Sequence, residues 1–498
     1  MTLNPNSIIV GVVGSGAMGQ GIIQVSVQGG IKTLIYDNSE NGSKIGKEKV
    51  SARLERLVEK GKISSEECDK FKDLMVPCSS ISELSSANFV IEAVFENLDI
   101  KREVFRSVEE VVSSDCIIAS NTSSIPIASI GSGCSRKDKI AGFHFFNPVP
   151  LMKLVEVIKA SSTSNHTVEK LTELGKLMTR TPVTVKDAPG FLVNFGGRAF
   201  TTEGLNIEFH KIATPPQIDA IMRDCYQFRM GPFELMDLTG IDVNFPVSQI
   251  VYEGYMQDPR IKTTPTHKAM LDAGFLGRKT RKGWYEYVEN GQIGRDEDEF
   301  TTKLKPFSVA LIDEDQNLKD FCVSLGLFVQ KDDGDCPIVG TPIGMDATQM
   351  SIKYNVDFKR LVCIDPLGFH DKRVTMMMAP GSDKIFAEKV AAGIIASGRK
   401  VTLIEDSPGF VGQRMVAMIS NLGCFMTETG LASTSDIDIA MKLALNYPKG
   451  PFEFIENFGE NNILHILMQI QNITGEERYR PTTWLKRRAN LGISIREN

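Results

Sequence analysis

One feature constrains the fold of this chain more than any other, namely a set of motifs that occurs twice at a fixed spacing. The motifs are Pro-Gly-Phe, Ile-Asp, Gly-Pro-Phe-Glu and a single Gly, which begin at positions 189, 218, 231 and 240 and return at 408, 437, 450 and 459. Each motif therefore returns 219 positions later. Several motifs repeated in register indicate a duplicated domain. Because the surrounding sequence is amphipathic and without clear strands, we expect two copies of a helical domain.

The sequence before the first copy alternates between short apolar runs and helix-like stretches. Its beginning, SIIVGVVGSGAMGQGIIQVSVQGGIKTLIYDN, predicts a strand, a glycine turn, a helix and a second strand. Further strands are predicted at 89–94, 116–121 and 139–146. Such alternation is typical of a parallel sheet covered by helices. We therefore expect an α/β domain of the Rossmann type, followed by an all-α domain.

The sequence before the second copy is shorter and has no glycine-rich turn. It keeps sheet-like segments at 307–313, 336–340, 360–365 and 400–406, which we interpret as a degenerate Rossmann-like segment. The predicted domains are 1–186 (nucleotide-binding), 187–287 (first helical copy), 288–306 (linker), 307–404 (degenerate segment) and 405–498 (second helical copy).

Composition excludes several classes of function. The net charge of −6 gives no basic field for nucleic acid or an anionic membrane. The nine cysteines are scattered and never in CxxC spacing, which favours reduced thiols in a cytoplasmic protein and no metal site. No apolar run approaches the ~18 residues of a membrane span, and the N-terminus does not resemble a presequence.

The glycine turn between the first strand and the first helix predicts a dinucleotide site. Gly14, Gly16 and Gly19 form a GxGxxG pattern in the strand-turn-helix context that this site requires. The helix N-terminus can bind a pyrophosphate. Asp37 ends the second strand, where a carboxylate accepts from ribose hydroxyls and repels a 2′-phosphate. The pattern therefore favours NAD over NADP.

A histidine and a glutamate lie in consecutive apolar strands. His144 stands in AGFHFFNPVP and Glu156 in LVEVI. A carboxylate among apolar neighbours is costly to bury unless it is paired, and His144 is the obvious partner. A histidine held by a carboxylate is a suitable base for an alcohol, although a buried histidine can also be an ordinary core residue.

Seven motifs follow one another between residues 7 and 287, namely GSGAMGQG, EAVFENLDIKREVF, SNTSSIPI, AGFHFFNPVPLMKLVEVI, DAPGFLVN, MGPFELMDLTGID and GRKTRKGWYEY. With these motifs, in this order, the sequence resembles the L-3-hydroxyacyl-CoA dehydrogenase family. The second copy resembles the C-terminal helical domain of the same family. The whole chain is similar to bacterial members with a duplicated C-terminal domain, including those of phenylacetate catabolism that act on 3-hydroxyadipyl-CoA.

The resemblance implies a reaction and a set of site residues. The implied reaction is the reversible oxidation of L-3-hydroxyacyl-CoA by NAD, with His144 as the base and Glu156 as its orienting carboxylate. Ser123 and Asn194 would bind the substrate oxygen. The implied cofactor contacts are Gly14, Ser15, Gly16, Ala17, Met18, Gly19, Asp37, Glu96, Lys101, Ser123 and Asn147.

A basic stripe could bind the phosphates of CoA. Lys49, Arg53, Arg56 and Lys60 share one face of a predicted helix, in the segment where the family binds CoA. We take Arg53, Arg56 and Lys60, together with Ser123, as candidate CoA contacts. Such a stripe can equally be a solvated face, because Glu48, Glu55 and Glu59 are near enough to pair with it.

The second half offers no second site of this kind. Shifted by 219 positions, His144 meets Cys363, Glu156 meets Thr375 and Asn194 meets Gln413. Since helical domains of this family associate in pairs, we predict that the two copies form a pseudo-dimer within one chain, and a further homodimer stays open. Departures from the family pattern are Phe195, where an arginine is common, and Arg281 within GRKTRKG.

Two alternatives remain at this stage. One is a β-hydroxyacid dehydrogenase that acts on a free acid, although such enzymes typically use a lysine base and need no basic stripe. The other is a non-enzymatic relative, either crystallin-like or an NAD-binding sensor, in which the four catalytic positions would be free to change. The motifs do not determine whether the acyl chain is short or dicarboxylic.

Overall fold

The first part of the chain forms an eight-stranded sheet in the computed structural model, which describes residues 3–288, 291–293 and 299–497. The strands are β1 (Ile9–Val13), β2 (Lys32–Tyr36), β3 (Met75–Pro77), β4 (Phe89–Glu92), β5 (Ile117–Ser120), β6 (Ile140–Phe145), β7 (Leu154–Lys159) and β8 (Thr181–Lys186). Their order is β3-β2-β1-β4-β5-β6-β7-β8. All neighbouring pairs are parallel except β6 and β7. The predicted Rossmann-type fold is confirmed.

Helices accompany this sheet and bury an apolar core. They are α1 (Ala17–Gln28), α2 (Gly42–Glu59), α3 (Ser65–Asp73), α4 (Leu98–Val111), α5 (Ile127–Ile130), α6 (Asn165–Leu177) and α7 (Val193–Gly196). Aliphatic residues of β1 such as Val10 and Val12 pack with Ile22 and Ile23 of α1. Because β7 runs opposite to β6, it starts at the same edge of the sheet where β1, β4, β5 and β6 end. In open α/β sheets this edge carries the ligand site.

The first helical copy follows, with α8 (Arg198–Phe209), α9 (Pro215–Tyr226), α10 (Pro232–Thr239), α11 (Ile241–Gly254) and α12 (Pro265–Asp272). An antiparallel pair, β9 (Glu286–Val288) and β10 (Gly291–Ile293), comes after it. The predicted linker, 288–306, overlaps this pair, and its residues 289–290 and 294–298 lie outside the described residues.

The degenerate segment forms a six-stranded sheet, which we call the relic sheet. Its strands are β11 (Ser308–Leu311), β12 (Phe328–Val329), β13 (Ile338–Gly340), β14 (Leu361–Ile364), β15 (Arg373–Met377) and β16 (Lys400–Ile404), and its helices are α13 (Gln316–Ser324), α14 (Ala347–Tyr354) and α15 (Lys384–Ala396). The order is β12-β11-β13-β14-β15-β16, with β14 and β15 antiparallel and β15 and β16 parallel. This copies the β6-β7-β8 side of the first sheet with fewer strands on the other side.

The second helical copy consists of α16 (Val411–Glu428), α17 (Thr434–Leu445), α18 (Pro451–Phe458), α19 (Glu460–Thr474) and α20 (Thr483–Leu491). The repeated Gly-Pro-Phe-Glu motif starts α10 and α18 in the same way. Proline takes the first helical position, and the glutamate side chain accepts from the glycine N–H, at 3.2 Å in the first copy and 2.8 Å in the second. The same local capping motif therefore begins the equivalent helix in both copies.

The chain divides into two compact units that exchange helices between its halves. One unit contains Met1–Phe195 and Thr429–Leu445, and the other contains Gly196–Glu428 and Asn446–Asn498. In the first unit α17 of the second copy contacts β7 and β8, and in the second unit α9 of the first copy contacts β15.

Backbone hydrogen bonds show that the exchange follows the repeat. Lys186 N–H donates to the Leu431 carbonyl, and at positions 219 residues away Glu405 N–H donates to the Ile212 carbonyl, both at 2.9 Å. One segment of each helical copy, with α9 or α17, therefore docks on the sheet of the other half in the same manner. In the described part of the chain, every helix is too short or too polar to cross a membrane.

A buried charge cluster joins α8 of the first copy to α16 of the second. Arg414 lies 2.9 Å from Glu203, and Arg478 approaches the same carboxylate at 3.4 Å. The Tyr479 hydroxyl donates to Glu203 at 3.0 Å. All four side chains are buried, so each charge depends on its partners rather than on water.

Glu203→Gln tests this cluster. The substitution leaves two buried guanidinium groups without a carboxylate, which costs about 3–5 kcal/mol in other proteins. We expect a lower melting temperature by scanning calorimetry, partly restored by adding Arg414→Met. Glu253→Gln, at an exposed position of α11, is the matched control. Equal melting temperatures for Glu203→Gln and the control would contradict the role of the cluster.

Candidate active site

The glycine turn has the shape that a pyrophosphate requires. Gly14 adopts φ +97° and a Cβ there would lie 2.6 Å from the Ala93 carbonyl oxygen, so only glycine fits. A Cβ at Gly16 would meet no heavy atom within 4 Å among the described residues. The start of α1 therefore has open space in front of its N–H groups, and no side chain caps it. These observations fit a dinucleotide phosphate.

Asp37 lies beside this turn as predicted. Its carboxylate accepts from the Ser15 N–H at 2.6 Å and the Ser15 hydroxyl at 2.8 Å, and it also accepts from both donors of Ser39. Partial burial opposes ionisation, yet these hydrogen bonds hold the pKa of Asp37 below its usual value. A carboxylate is therefore present at the end of β2 at neutral pH, where a ribose would bind.

His144 and Glu156 face each other across the antiparallel pair β6 and β7. Nδ1 of His144 lies 2.6 Å from Oε2 of Glu156, and Glu156 is fully buried. The other carboxylate oxygen, Oε1, accepts from the backbone N–H groups of Leu192 at 3.1 Å and Val193 at 2.9 Å. An ionised Glu156 requires the hydrogen on Nδ1, which leaves Nε2 of His144 as the acceptor.

The turn that supplies these two N–H groups has an uncommon backbone. Gly190 adopts φ +73° and Phe191 φ +49°, so two consecutive residues are left-handed. This is unusual for a bulky residue such as phenylalanine. The Phe191 ring also flanks the imidazole of His144, at 5.9 Å between centroids, and Phe146 does so at 4.5 Å. The Pro-Gly-Phe motif, which marks the repeat in the sequence, therefore also builds part of this group.

Glu96 organises the loop that carries Ser123. It accepts from the Thr122 hydroxyl at 2.6 Å, from the Ser123 N–H at 3.0 Å and from both donors of Ser124. Burial opposes its ionisation, but the hydrogen bond from Thr122 and the charge of Lys101 keep the pKa of Glu96 below its usual value. The loop at the end of β5 is thus fixed by one carboxylate.

Lys101 is buried between two carboxylates. Its Nζ lies 2.7 Å from Glu92 and 3.3 Å from Glu96, and its side chain is 1% exposed. Glu92 also accepts from the Ser120 hydroxyl at 2.6 Å. Sequence analysis missed Glu92, although a carboxylate inside the apolar strand FVIE was the signal that could have found it.

Three further site residues were predicted, namely Ser123, Asn194 and Asn147. The Asn194 amide donates to the Ser123 carbonyl oxygen at 3.4 Å, so Ser123 and Asn194 come together. Asn147 is exposed after β6 and makes no hydrogen bond to the described residues.

The basic stripe lies on α2 and on Lys60, the residue that follows it, and Lys49, Arg56 and Lys60 are exposed. Arg53 differs because it donates to Gln20 at 2.9 Å, and Gln20 donates to the Ser15 carbonyl of the glycine turn. Glu55 pairs with Lys72 rather than with the stripe. Arg53 is therefore connected to the dinucleotide turn, and the other three cations stay available to an anion.

Together the fold, the glycine turn and the His144–Glu156 pair define an NAD-dependent oxidoreductase. Family models agree with this class. Residues 9–188 match the 3-hydroxyacyl-CoA dehydrogenase NAD binding domain, and residues 190–287 and 409–497 both match the 3-hydroxyacyl-CoA dehydrogenase C-terminal domain. The chain belongs to the 3-hydroxyacyl-CoA dehydrogenase family.

Individual relatives cover either the whole chain or its first part. The chain is 34% identical to a 3-hydroxyadipyl-CoA dehydrogenase of Escherichia coli over 97% of both chains. It is 34% identical to a probable 3-hydroxybutyryl-CoA dehydrogenase of Deinococcus radiodurans over 56% of this chain and 99% of that one. A solved structure of Escherichia coli 3-hydroxybutyryl-CoA dehydrogenase superposes with a TM-score of 0.84, at 33% identity, and covers 98% of this chain and 99% of that one.

Asp37→Ala tests the cofactor site. Removal of a charged acceptor for the ribose hydroxyls should weaken NADH binding by roughly tenfold or more, with a smaller effect on NADPH. Fluorescence titration with both nucleotides measures this. Asp69→Ala, at an exposed position of α3, is the control and should change neither affinity. An equal loss for both nucleotides would contradict the ribose role.

Proposed function

We propose that this enzyme oxidises L-3-hydroxyacyl-CoA thioesters reversibly to 3-oxoacyl-CoA, with a short or dicarboxylic acyl chain. The observation that carries the proposal is the chain of contacts from two backbone N–H groups through Glu156 to His144. This arrangement supplies a fixed base for an alcohol. The names of the relatives support the substrate class, because they mention a hydroxyadipyl and a hydroxybutyryl thioester.

Each proposed catalytic residue has a separate task. His144 accepts the hydroxyl proton at Nε2, and Glu156 stabilises the imidazolium that forms. Ser123 and Asn194 bind the substrate oxygen from one side of the site. NAD, when bound, supplies the acceptor for the hydride that leaves the carbon. In the reverse direction His144 returns the proton to the carbonyl oxygen.

We propose that the cofactor site comprises the glycine turn of residues 14–19, Asp37, Glu96, Ser123 and Asn147. Lys101 belongs to it as the buried cation that holds Glu96. The open space at Gly16 supports the phosphate position. The exposed cations Arg56 and Lys60, with Arg53 behind them, are proposed to bind the phosphates of CoA.

Two features weigh against the two alternatives. Enzymes for free hydroxyacids typically use a lysine base in place of the His144–Glu156 pair, and they would need no exposed cations at Arg56 and Lys60. A non-enzymatic relative would have no reason to bury Glu156 at the cost of a left-handed turn. We further propose a cytoplasmic location, which the nine free, buried cysteines support.

The contacts between α8 and α16 and the exchange of α9 and α17 support the proposed pseudo-dimer. We keep the domain limits of the sequence analysis, 1–186, 187–287, 288–306, 307–404 and 405–498, as part of this proposal.

The first test is the oxidation of NADH with acetoacetyl-CoA, longer linear 3-oxoacyl-CoA substrates and 3-oxoadipyl-CoA. Turnover supports the reaction class, and the order of kcat/KM ranks short, long and carboxylate-ended chains. NADH binding without turnover of any thioester would refute the proposed function.

His144→Gln should lower kcat by about 10²- to 10⁴-fold, because the variant has no base for the hydroxyl proton. Its affinity for NADH should stay close to that of the parent. His166→Gln, at an exposed position of α6, is the matched control. An unchanged kcat in His144→Gln would refute the assignment.

Arg56→Glu and Lys60→Glu should each raise KM for an acyl-CoA by about twofold to fivefold, as expected for exposed ion pairs. A thioester of N-acetylcysteamine has no CoA phosphates, so its KM should not change. Lys70→Glu, on exposed α3, controls for net charge. If the two thioesters respond equally, the stripe does not bind the CoA phosphates.

A further inference from the structure

The relic sheet contains a group of polar side chains at the place that the active site holds in the first sheet. The shift of 219 positions pairs His144 with Cys363. Cys363 does not take the place of His144 in the relic sheet, because it lies opposite Met377 in the β14–β15 pair. Asp365 follows two residues later. Its backbone N–H donates to the backbone carbonyl oxygen of Thr375, the counterpart of Glu156, at 3.0 Å. The register of β14 is therefore shifted, and Asp365 takes the place of His144.

Two further residues complete this group, which we call the relic site: Tyr226, Asp365 and Gln413. Gln413 is the counterpart of Asn194 and donates to Asp365 at 2.8 Å. The Tyr226 hydroxyl donates to the other oxygen of Asp365 at 3.0 Å. Both Tyr226 and Asp365 are 3% exposed. The Tyr226 hydroxyl therefore donates to the residue in the place of His144, as the hydroxyl of a substrate would donate to a base.

Tyr226 fills the relic site because glycines make room for its ring. A Cβ at Gly412 would lie 1.8 Å from the Tyr226 ring, and a Cβ at Gly368 would lie 3.2 Å from it. The last residue of α9 thus enters the relic site from the first helical copy. The end of α9 therefore reaches the position in the relic sheet that corresponds to His144.

The repeat assigns a counterpart in the first unit to each residue of this contact. Tyr226, the last residue of α9, corresponds to Leu445, the last residue of α17, and Gly412 corresponds to Val193. Leu445 belongs to the same compact unit as His144.

A second pair of repeat-related contacts anchors the first turns of the two helices, which have twelve residues each. The Gln217 amide donates to the Leu403 carbonyl oxygen in one unit, and the Thr184 N–H donates to the Asp436 carboxylate in the other. Both residues on the helices and both on the strands are 219 positions apart. The ends of α9 and α17 are therefore directed to equivalent places on their sheets.

We propose that the end of α17 forms a wall of the acyl pocket beside His144, and that Leu445 determines which acyl chains fit. Leucine lacks the ring and the hydroxyl with which Tyr226 reaches Asp365, so the space next to the base stays open to a substrate. The buried Val193 stands at the repeat position of Gly412, the glycine that makes room for the Tyr226 ring in the relic site. The second helical copy thus contributes a specificity-determining residue to the first active site. This inference rests on the function proposed above.

Leu445→Tyr tests the inference by placing the relic-site residue in the active unit. We expect kcat/KM for 3-oxoacyl-CoA substrates to fall by at least about tenfold, since small changes of volume in an apolar pocket have effects of this size. The loss should grow with acyl length, and the affinity for NADH should not change. Leu445→Ala removes side-chain volume and should shift the preference towards longer acyl chains. This second variant tests the inference if Leu445→Tyr does not fold.

Ser435→Tyr, at the exposed start of the same helix, is the matched control and should keep the parent kinetics. If Leu445→Tyr and Leu445→Ala both keep the acyl preference and kcat/KM of the parent, the inference is wrong while the proposed function stands. If the parent chain turns over no acyl-CoA although it binds NADH, the proposed function fails and the inference fails with it.

Discussion

The burial of the Glu156 carboxylate is the constraint on which the rest of the site depends. A charge without access to water is tolerated only when it is paired and hydrogen-bonded. Here the partners are His144 and the N–H groups of Leu192 and Val193. The antiparallel pairing of β6 and β7 provides the first, and the left-handed turn at Gly190 and Phe191 provides the others. In the relic half Thr375 replaces the carboxylate, and Gly409 but not Phe410 is among the described residues with positive φ.

Duplication gave this fold two halves that no longer need to be identical. Arg414 pairs with Glu203 once, while the positions related to them by the repeat are Phe195 and Leu422. A symmetric dimer would have to carry the ion pair twice, whereas a fused chain can keep one polar and one apolar version. The absence of arginine at Phe195, noted as a departure from the family, is thus consistent with the asymmetry. The relic site shows the same freedom, because one half keeps the buried His144–Glu156 pair and the other has Asp365 packed against Tyr226 and Gln413.

Local patterns predicted much of the fold and part of the site. The glycine turn, Asp37 and the His144–Glu156 pair were predicted because each depends on residues close in sequence or on adjacent strands. Glu92 and the connection from Arg53 through Gln20 were missed, since they depend on contacts between separate elements. The counterpart of His144 was misplaced at Cys363, because a constant shift cannot reveal the register change in β14.

The sequence by itself determined the class of fold, the duplication, the nucleotide turn and the family, because these are written in short motifs and in their spacing. Only the tertiary structure decided which helical copy contacts which sheet. The placement of α17 beside the first sheet, and of Tyr226 in the relic site, results from packing between segments more than a hundred residues apart. Such packing depends on the fit of whole surfaces, and no local pattern encodes it.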